Sequence, residues 1–372
     1  MDVESIPTGM NQGTMAKLTL RNYRDHDPDN MYDAIAGFAD QIEAGVALSE
    51  GGPKVPKGRI RRVVILGMGG SAIGGDLLRS YVTGFRDYGG VEIVVNRDYN
   101  PPMINGSDLL VTSSYSGNTE ETLNAYNAAR KDAGSVLVLT TGGKLLRSAR
   151  SAKYRTIELP GGLQPRAALG YSFFPLLHTL AVRTKLFGDQ IAAETAKGIA
   201  ETVTLLRKLT AEYSDGPKPA NRAFRIAQEL HGKVPVIYSA TERLDTVNLR
   251  WRGQIQENAK HLAFGNLIPE MNHNEINGWQ NPPALLKHFV PVWLRDREDH
   301  RRNQRRLDIT GSIISGRGAR GVPIESEGRT DLARMFSLIH LGDWVSYWLA
   351  GLNGVDPSPV PVIENLKREL QN

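Results

Sequence analysis

Thr112-Ser113-Ser114-Tyr115-Ser116-Gly117-Asn118-Thr119-Glu120-Glu121-Thr122 joins an apolar run, Leu109 to Val111, to a polar, helix-compatible run, Glu120 to Lys131. That order is strand, hydroxyl-rich turn, helix start. Ser116 or Thr119 can cap the helix, and Glu120 and Glu121 suit its positively polarised first turn. Free N–H groups and several hydroxyls at such a terminus form an anion site matched to a phosphate monoester. The turn has no Lys and lacks the GxxxxGK[ST] spacing, so it is not a nucleotide-type P-loop. By itself the stretch also fits an ordinary capped turn.

Working outward, Val63 to Leu66 reads as a buried strand ending in Gly67-Met68-Gly69-Gly70-Ser71-Ala72-Ile73-Gly74-Gly75, with a helix from Asp76 to Val82. Further strands are expected at Val91 to Val95, Leu109 to Ser113, Val136 to Thr140 and Thr156 to Leu159. Helical stretches separate them, which argues for an α/β fold with a doubly wound parallel sheet. In such sheets ligands sit beyond the carboxyl ends of the strands, where the two Gly- or hydroxyl-rich turns fall.

Gly161 to Gly170 is a loop carrying Arg166, followed by an apolar helix, Tyr171 to Leu186. The second half opens with helical runs Ala192 to Glu212 and Ala220 to His231. Strands are expected at Val234 to Tyr238 and Phe289 to Leu294, with weaker ones near Ile313 and at Val322 to Ile324. Helices are expected around Val247 to Phe264 and Leu332 to Leu352, giving a second α/β unit of similar size. Before the first strand, Met31, Ile35, Phe38, Ile42 and Val46 mark one amphipathic helix over Asp29 to Ala47, and Gly51 to Lys57 reads as a linker. Met1 to Met15 has no basic-then-apolar layout and reads as a loose tail rather than a signal peptide.

Ser114 to Thr119, followed by Glu120-Glu121-Thr122, resembles the phosphosugar loop of SIS (sugar isomerase) domains. The resemblance implies flavodoxin-like SIS domains in which Ser114, Ser116 and Thr119 hold a hexose phosphate. It also implies that Gly69, Gly70 and Ser71, after the first strand, lie against the sugar. A rival reading starts from Gly67 to Ala72, which satisfies the dinucleotide fingerprint GxGxx[GA]. That rival needs an acid closing the second strand, where Asn96-Arg97 stands and Asp98 comes only later.

The second half carries the sharper chemistry. In Arg250 to Phe264, Trp251, Ile255, Ala259 and Leu262 form an apolar stripe at helical spacing. Glu257 lies off that stripe with Arg250, Gln254 and Asn258. A polar loop then places His273 between Glu270 and Glu275. Glu257-Asn258-Ala259-Lys260 and His273-Asn274-Glu275 look like bifunctional phosphoglucose/phosphomannose isomerases. Pro165-Arg166-Ala167-Ala168 and Gly354-Val355-Asp356-Pro357 through Leu366-Lys367 are similar to the same family. The likeness spans roughly Ile60 to the C-terminus.

That resemblance implies Glu257 as the base moving a proton between C1 and C2, and Arg166 as the cation stabilising an enediolate. It implies His273 and Lys367 as assistants in ring opening. In that family the histidine reaches a neighbour's site, which implies a homodimer sharing His273. It implies aldose–ketose isomerisation of glucose 6-phosphate and mannose 6-phosphate with fructose 6-phosphate, in the cytoplasm and without a cofactor. Alternatives are a non-catalytic sugar-phosphate-binding regulator and a nicotinamide-dependent oxidoreductase. The expected layout is an N-terminal extension over 1–56, SIS domains over 57–190 and 191–352, and a helical tail over 353–372 carrying Lys367.

Composition bounds these readings. The 372 residues suffice for two cores. With no cysteine, disulfides, thiolate metal sites and cysteine nucleophiles drop out together. No HxH, HExxH or carboxylate cluster stands at metal-ligand spacing, so no metal is expected. The net charge of +5 mildly favours anionic ligands without implying nucleic acid. The basic cluster Arg295 to Arg306, interleaved with acids, reads as a solvated helix face. No apolar run is long enough to span a membrane.

Overall fold

The computed structural model describes residues 19–52, 55, 60–241 and 243–370. The Met1–Met15 tail and most of the Gly51–Lys57 linker lie outside the described residues. The first half forms five strands: β1 (Arg62–Leu66), β2 (Glu92–Asn96), β3 (Asp108–Ser113), β4 (Ser135–Thr140) and β5 (Arg155–Glu158). All pair in parallel, in the order β2-β1-β3-β4-β5. β3 and β4 are buried along their whole length, as strands covered on both faces must be. Side chains alternate between the faces. Val63, Ile65, Leu109 and Val111 enter the main core. Val64, Leu66 and Leu110 meet Tyr126 and Leu145 on the other side.

The second sheet comprises β6 (Val234–Ala240), β7 (Phe264–Ile268), β8 (Phe289–Arg295) and β9 (Val322–Glu325). It is also parallel, ordered β7-β6-β8-β9. The helix Asp331–Leu352 joins the halves: every residue from Leu332 to Ala350 is buried. Such a helix has neighbours on all sides, so it is largely apolar all round and its buried polar residues, Arg334, His340, Asp343 and Ser346 among them, are hydrogen-bonded. It packs against the helices Asp245–Ala259, Asp189–Tyr213 and Arg222–Leu230. One continuous core cluster runs from Tyr23 to Ala350.

Four expectations need correction. The Asp29–Ala47 helix is two, Met31–Ala36 and Phe38–Glu50, broken at Gly37, which ends one and opens the next. Ile313 lies in the helix Arg301–Ser315, not in a strand; Leu307, Thr310 and Ile314 face inward at helical spacing, leaving Ile313 exposed. The Val247–Phe264 helix starts at Asp245 and stops at Ala259, because Lys260 takes a left-handed conformation at φ 49°. The chain then turns into β7, so Leu262 leaves the apolar stripe and is 65% exposed. The helix after β1 begins at Gly69, within the glycine turn, rather than at Asp76.

Candidate active site

The turns after β1 and β3 flank the point where the strand order reverses, the usual ligand crevice of such sheets. Ser114 to Thr119 leaves β3 and opens the helix Glu120–Ala129. Thr119 stands at the N-cap, and Glu120 and Glu121 occupy the first turn. The loop is fixed from below by the turn after β4. Thr141 donates to the Tyr115 carbonyl through N (3.0 Å) and Oγ1 (2.7 Å), and Leu145 N donates to the Gly117 carbonyl (3.0 Å). A Cβ on Gly117 would lie 1.9 Å from the Gly142 carbonyl oxygen, and its φ is 64°, so glycine is required there twice over. Ser114 Oγ donates to Thr119 Oγ1 at 3.1 Å, which brings two of the three expected phosphate hydroxyls together. Ser116 is exposed at the loop tip.

Two links tie this loop to the rest of the site. Ser71 Oγ accepts from Tyr115 N at 3.1 Å, bracing the β1 turn against the loop. Tyr115 turns its ring inward, and its hydroxyl donates to the Pro160 carbonyl (2.8 Å) and accepts from Leu163 N (3.3 Å). The loop that carries Arg166 is thus attached to the hydroxyl loop. Gly70 permits the close approach of that Arg166 turn: a Cβ there would lie 3.0 Å from the Pro165 carbonyl oxygen.

Arg166 is buried, unlike the surface arginine its loop position would suggest. Nε donates to Asn258 Oδ1 (2.5 Å), and Nη2 donates to the carbonyls of Pro357 (2.6 Å) and Ser358 (2.7 Å). Nη1 faces Glu257 Oε2 at 3.4 Å. A guanidinium has one further N–H on that nitrogen. Burial lowers the Arg166 pKa, while Glu257 and Asp356 oppose that shift.

Glu257 is placed by the helix beneath it. Trp251, Ile255 and Ala259 are fully buried, each large side chain contributing roughly 1.5–3 kcal/mol. Gly342 admits the Trp251 ring; a Cβ there would sit 2.6 Å from its Nε1. A second buried face is polar. Arg250 pairs with Asp343 at 2.8 Å, Gln254 donates to the same carboxylate at 2.8 Å, and Asn258 donates to Ser346 Oγ at 2.9 Å. Arg250 also donates to the Arg166 carbonyl at 3.0 Å. With two faces locked, Glu257 stays on the third with its side chain 33% exposed. It lines an open cleft of about 150 Å³ with Gly69, Gly70, Arg97, Arg166 and Gln254.

His273 and Lys367 lie apart from that cleft. His273 ends the short turn Glu270–His273 and is exposed. Lys367 rides on the helix Pro361–Glu369, none of whose residues is buried. Sequence reasoning passed over three contributors. Arg97 follows β2 and faces the cleft. The carbonyls of Pro357 and Ser358 carry no side-chain signal, and Pro357 enters the sequence reading only within the Gly354–Pro357 likeness. Lys260 Nζ donates to the Asp356 carbonyl at 2.5 Å and stands near Arg166, and desolvation pushes it down to about 8. In the sequence it stands only as the last residue of Glu257–Lys260; the left-handed turn that places it is visible in the fold alone. Among the described residues, no group of three or more His, Cys, Asp or Glu side chains could hold a metal ion, and no helix is long and apolar enough to cross a membrane.

Comparison with known proteins adds an independent line. The profile of the bacterial phospho-glucose isomerase C-terminal SIS domain matches residues 219–370. A bifunctional phosphoglucose/phosphomannose isomerase of Caldicellulosiruptor bescii is 43% identical over 346 residues, covering 91% of this chain and 98% of the relative. One of Aquifex aeolicus is 36% identical over 344 residues, covering 92% and 99%. In structure, the chain is similar to the C-terminal domain of glucosamine-fructose-6-phosphate aminotransferase from Francisella tularensis, with a TM-score of 0.68 at 14% identity. That likeness covers 89% of this chain and 98% of that one.

Proposed function

The chain belongs to the bifunctional phosphoglucose/phosphomannose isomerase family, and from that premise we propose that it interconverts glucose 6-phosphate and mannose 6-phosphate with fructose 6-phosphate. The observation that carries the reading is the Glu257 carboxylate 3.4 Å from the Arg166 guanidinium, in a cleft floored by Gly69 and Gly70. Ser114, Ser116 and Thr119 hold the phosphate, with backbone N–H groups of the helix start. Gly69, Gly70 and Ser71 form the wall against the sugar. The pyranose opens with help from His273 and Lys367. Glu257 then takes the proton from C2, the C–H electron pair becomes the C1–C2 double bond and the C1=O π pair moves onto O1; the O2 proton passes to O1 through the cis-enediol, and as C2=O forms the C1–C2 π pair takes the proton back from the same carboxylate at C1. The charge that develops on oxygen meets the uncommitted Nη1–H of Arg166, already oriented by its other bonds. No cofactor enters these steps. A coupled assay with both aldose phosphates tests the reading; turnover of neither would end it.

His273 completes the site of a second copy in this account. Two features support a homodimer. His273 lies outside the cleft of its own chain. The Pro361–Glu369 helix, with Leu370 after it, leaves Val362, Ile363, Leu366 and Leu370 exposed, an apolar row that needs cover. Mixing inactive Glu257→Gln with inactive His273→Ala chains should regenerate one complete site per mixed dimer. No recovered activity, with exchange of subunits verified, would place His273 in its own chain's site. Phosphorylated sugars do not cross membranes unaided, so the reaction belongs in the cytoplasm.

A further inference from the structure

We infer that Arg97 is a second cation of the reaction cleft, seating the carbohydrate end of the substrate and weighting the two aldose epimers unequally. This rests on the isomerase reading above. Arg97 lines the same cleft as Glu257 and Arg166. It leaves the carboxyl end of β2, at the mouth of the first sheet. Asp76, buried on the Gly69–Thr83 helix, grips it in a fork: Nη1 to Oδ1 at 3.4 Å and Nη2 to Oδ2 closer still. That grip fixes the head of a long side chain while leaving it 35% exposed. The Asp76 fork leaves Nε–H and one N–H on each terminal nitrogen of this cleft-lining guanidinium uncommitted among the described residues.

The strand order sets what those donors can reach. β1 lies between β2 and β3, so Arg97 stands two strand spacings, about 10 Å, from the hydroxyl loop after β3. An extended six-carbon chain anchored by its phosphate at that loop spans a comparable distance. Arg97 therefore addresses the C1–C3 end, beside the carbon that Glu257 deprotonates. At that end the substrate offers neutral hydroxyl and carbonyl oxygens, for which a pinned guanidinium is a directional donor. Glucose and mannose 6-phosphates differ only in the side to which the C2 hydroxyl points. A donor fixed on one side of C2 meets that hydroxyl in one epimer and not in the other. The part of the interaction that both epimers share reaches the C1 or C3 oxygen.

The test uses the full chain with Arg97→Lys, Arg97→Gln and Asp76→Asn. The kcat and KM for each aldose phosphate are measured beside inhibition by inorganic phosphate and thermal midpoint. Losing one charged hydrogen bond corresponds to roughly 10- to 100-fold in kcat/KM. Arg97→Gln should show that loss on at least one epimer, shift the epimer ratio several-fold and leave phosphate inhibition within twofold. Arg97→Lys keeps the charge and should recover part of the rate without the ratio. Asp76→Asn frees the head and should move the ratio in the same direction, less far. An unchanged ratio in folded Arg97→Lys and Arg97→Gln overturns the assignment, as does equal loss on both epimers with phosphate inhibition lost alongside. Wild-type protein that turns over neither sugar overturns the isomerase reading itself, a separate result.

Discussion

The two halves of the molecule contribute to the cleft by different means. From the first sheet's strand-end turns, Gly69 and Gly70 after β1 and Arg97 after β2 line the cleft, and the Ser114–Thr119 loop after β3 is braced beside them through Ser71. Each is a local consequence of one strand meeting one helix. Among the described residues lining the cleft, none comes from a strand-end turn of the second sheet. Its half supplies Glu257 from the exposed face of a helix whose other faces are locked by Trp251 and by the Arg250–Gln254–Asn258 row. Arg166, carried by the first half, is held by Asn258, Pro357 and Ser358 of the second. On the proposed reading the first half binds and the second reacts, and Arg166 bridges them through Asn258, Pro357 and Ser358.

The sharpest way to break that division is at the meeting point. Arg166→Ala removes the enediolate donor and strips Asn258 and two carbonyls of their partner. Activity should fall by roughly 10²–10³-fold, the cost of one oriented donor to a developing oxyanion. Stability should fall by about 1–3 kcal/mol for each buried acceptor left unpaired. Steady-state kinetics and urea unfolding measure both. A variant that is stable and fast would detach Arg166 from both halves.

On the binding side, Ser116→Ala and Thr119→Ala should raise KM and spare kcat, because the phosphate is remote from C1 and C2. One hydrogen bond to a charged group is worth about 1.5–3 kcal/mol. A large fall in kcat at constant KM would show that the first half also does chemistry.

On the bracing side, His340 sits wholly buried in the Asp331–Leu352 helix, bonded to Thr210 Oγ1 at 2.8 Å and approached by Trp344 Nε1 at 3.1 Å. Burial, with Arg250 adding repulsion, pushes its pKa from 6.5 down to about 3. The unfolded chain protonates this histidine below 6.5 while the folded one does not. Its contribution is therefore complete above pH 6.5 and drains away as pH falls toward 3. Urea midpoints between pH 7 and 4 should fall less steeply in His340→Gln than in wild type. Parallel slopes would remove the histidine from the acid response.

The smallest effect should come from exhaustive chelation, which is expected to leave activity unchanged. Loss on chelation with recovery on zinc would mean that the proton shuttle needs more than Glu257 and Arg166.

The same division explains what could be read from the chain. β1, β3 and β4 were legible because strands covered on both faces show as unbroken runs of Val, Leu and Ile. β7 was not. It is an edge strand, half-buried, with Gly265 and Asn266 in its middle. Gly265 is there because a Cβ would come 2.5 Å from the Ile237 carbonyl oxygen, a constraint set by a strand far away in sequence. The hydroxyl loop was legible because its residues are contiguous. The cradle of Arg166 was not, since it joins the side chains of Glu257 and Asn258 to the backbone carbonyls of residues 357 and 358, which any residue could supply, across almost two hundred positions. Glu257 itself was found by resemblance. Its spacing alone marked only a helical acid off the apolar stripe.

Glu257 carries the proton on the proposed reading, and deuterium exchange at C2 tests it directly. Glucose 6-phosphate is incubated in heavy water with wild type and with Glu257→Gln, and deuterium at C2 is followed while sugar-phosphate affinity is measured in parallel. Gln keeps the shape but cannot accept a proton. Affinity should stay close to wild type and wash-in should slow by roughly 10²–10⁴-fold. Wash-in at the wild-type rate would contradict that reading and pass the role to Glu270 or Glu275.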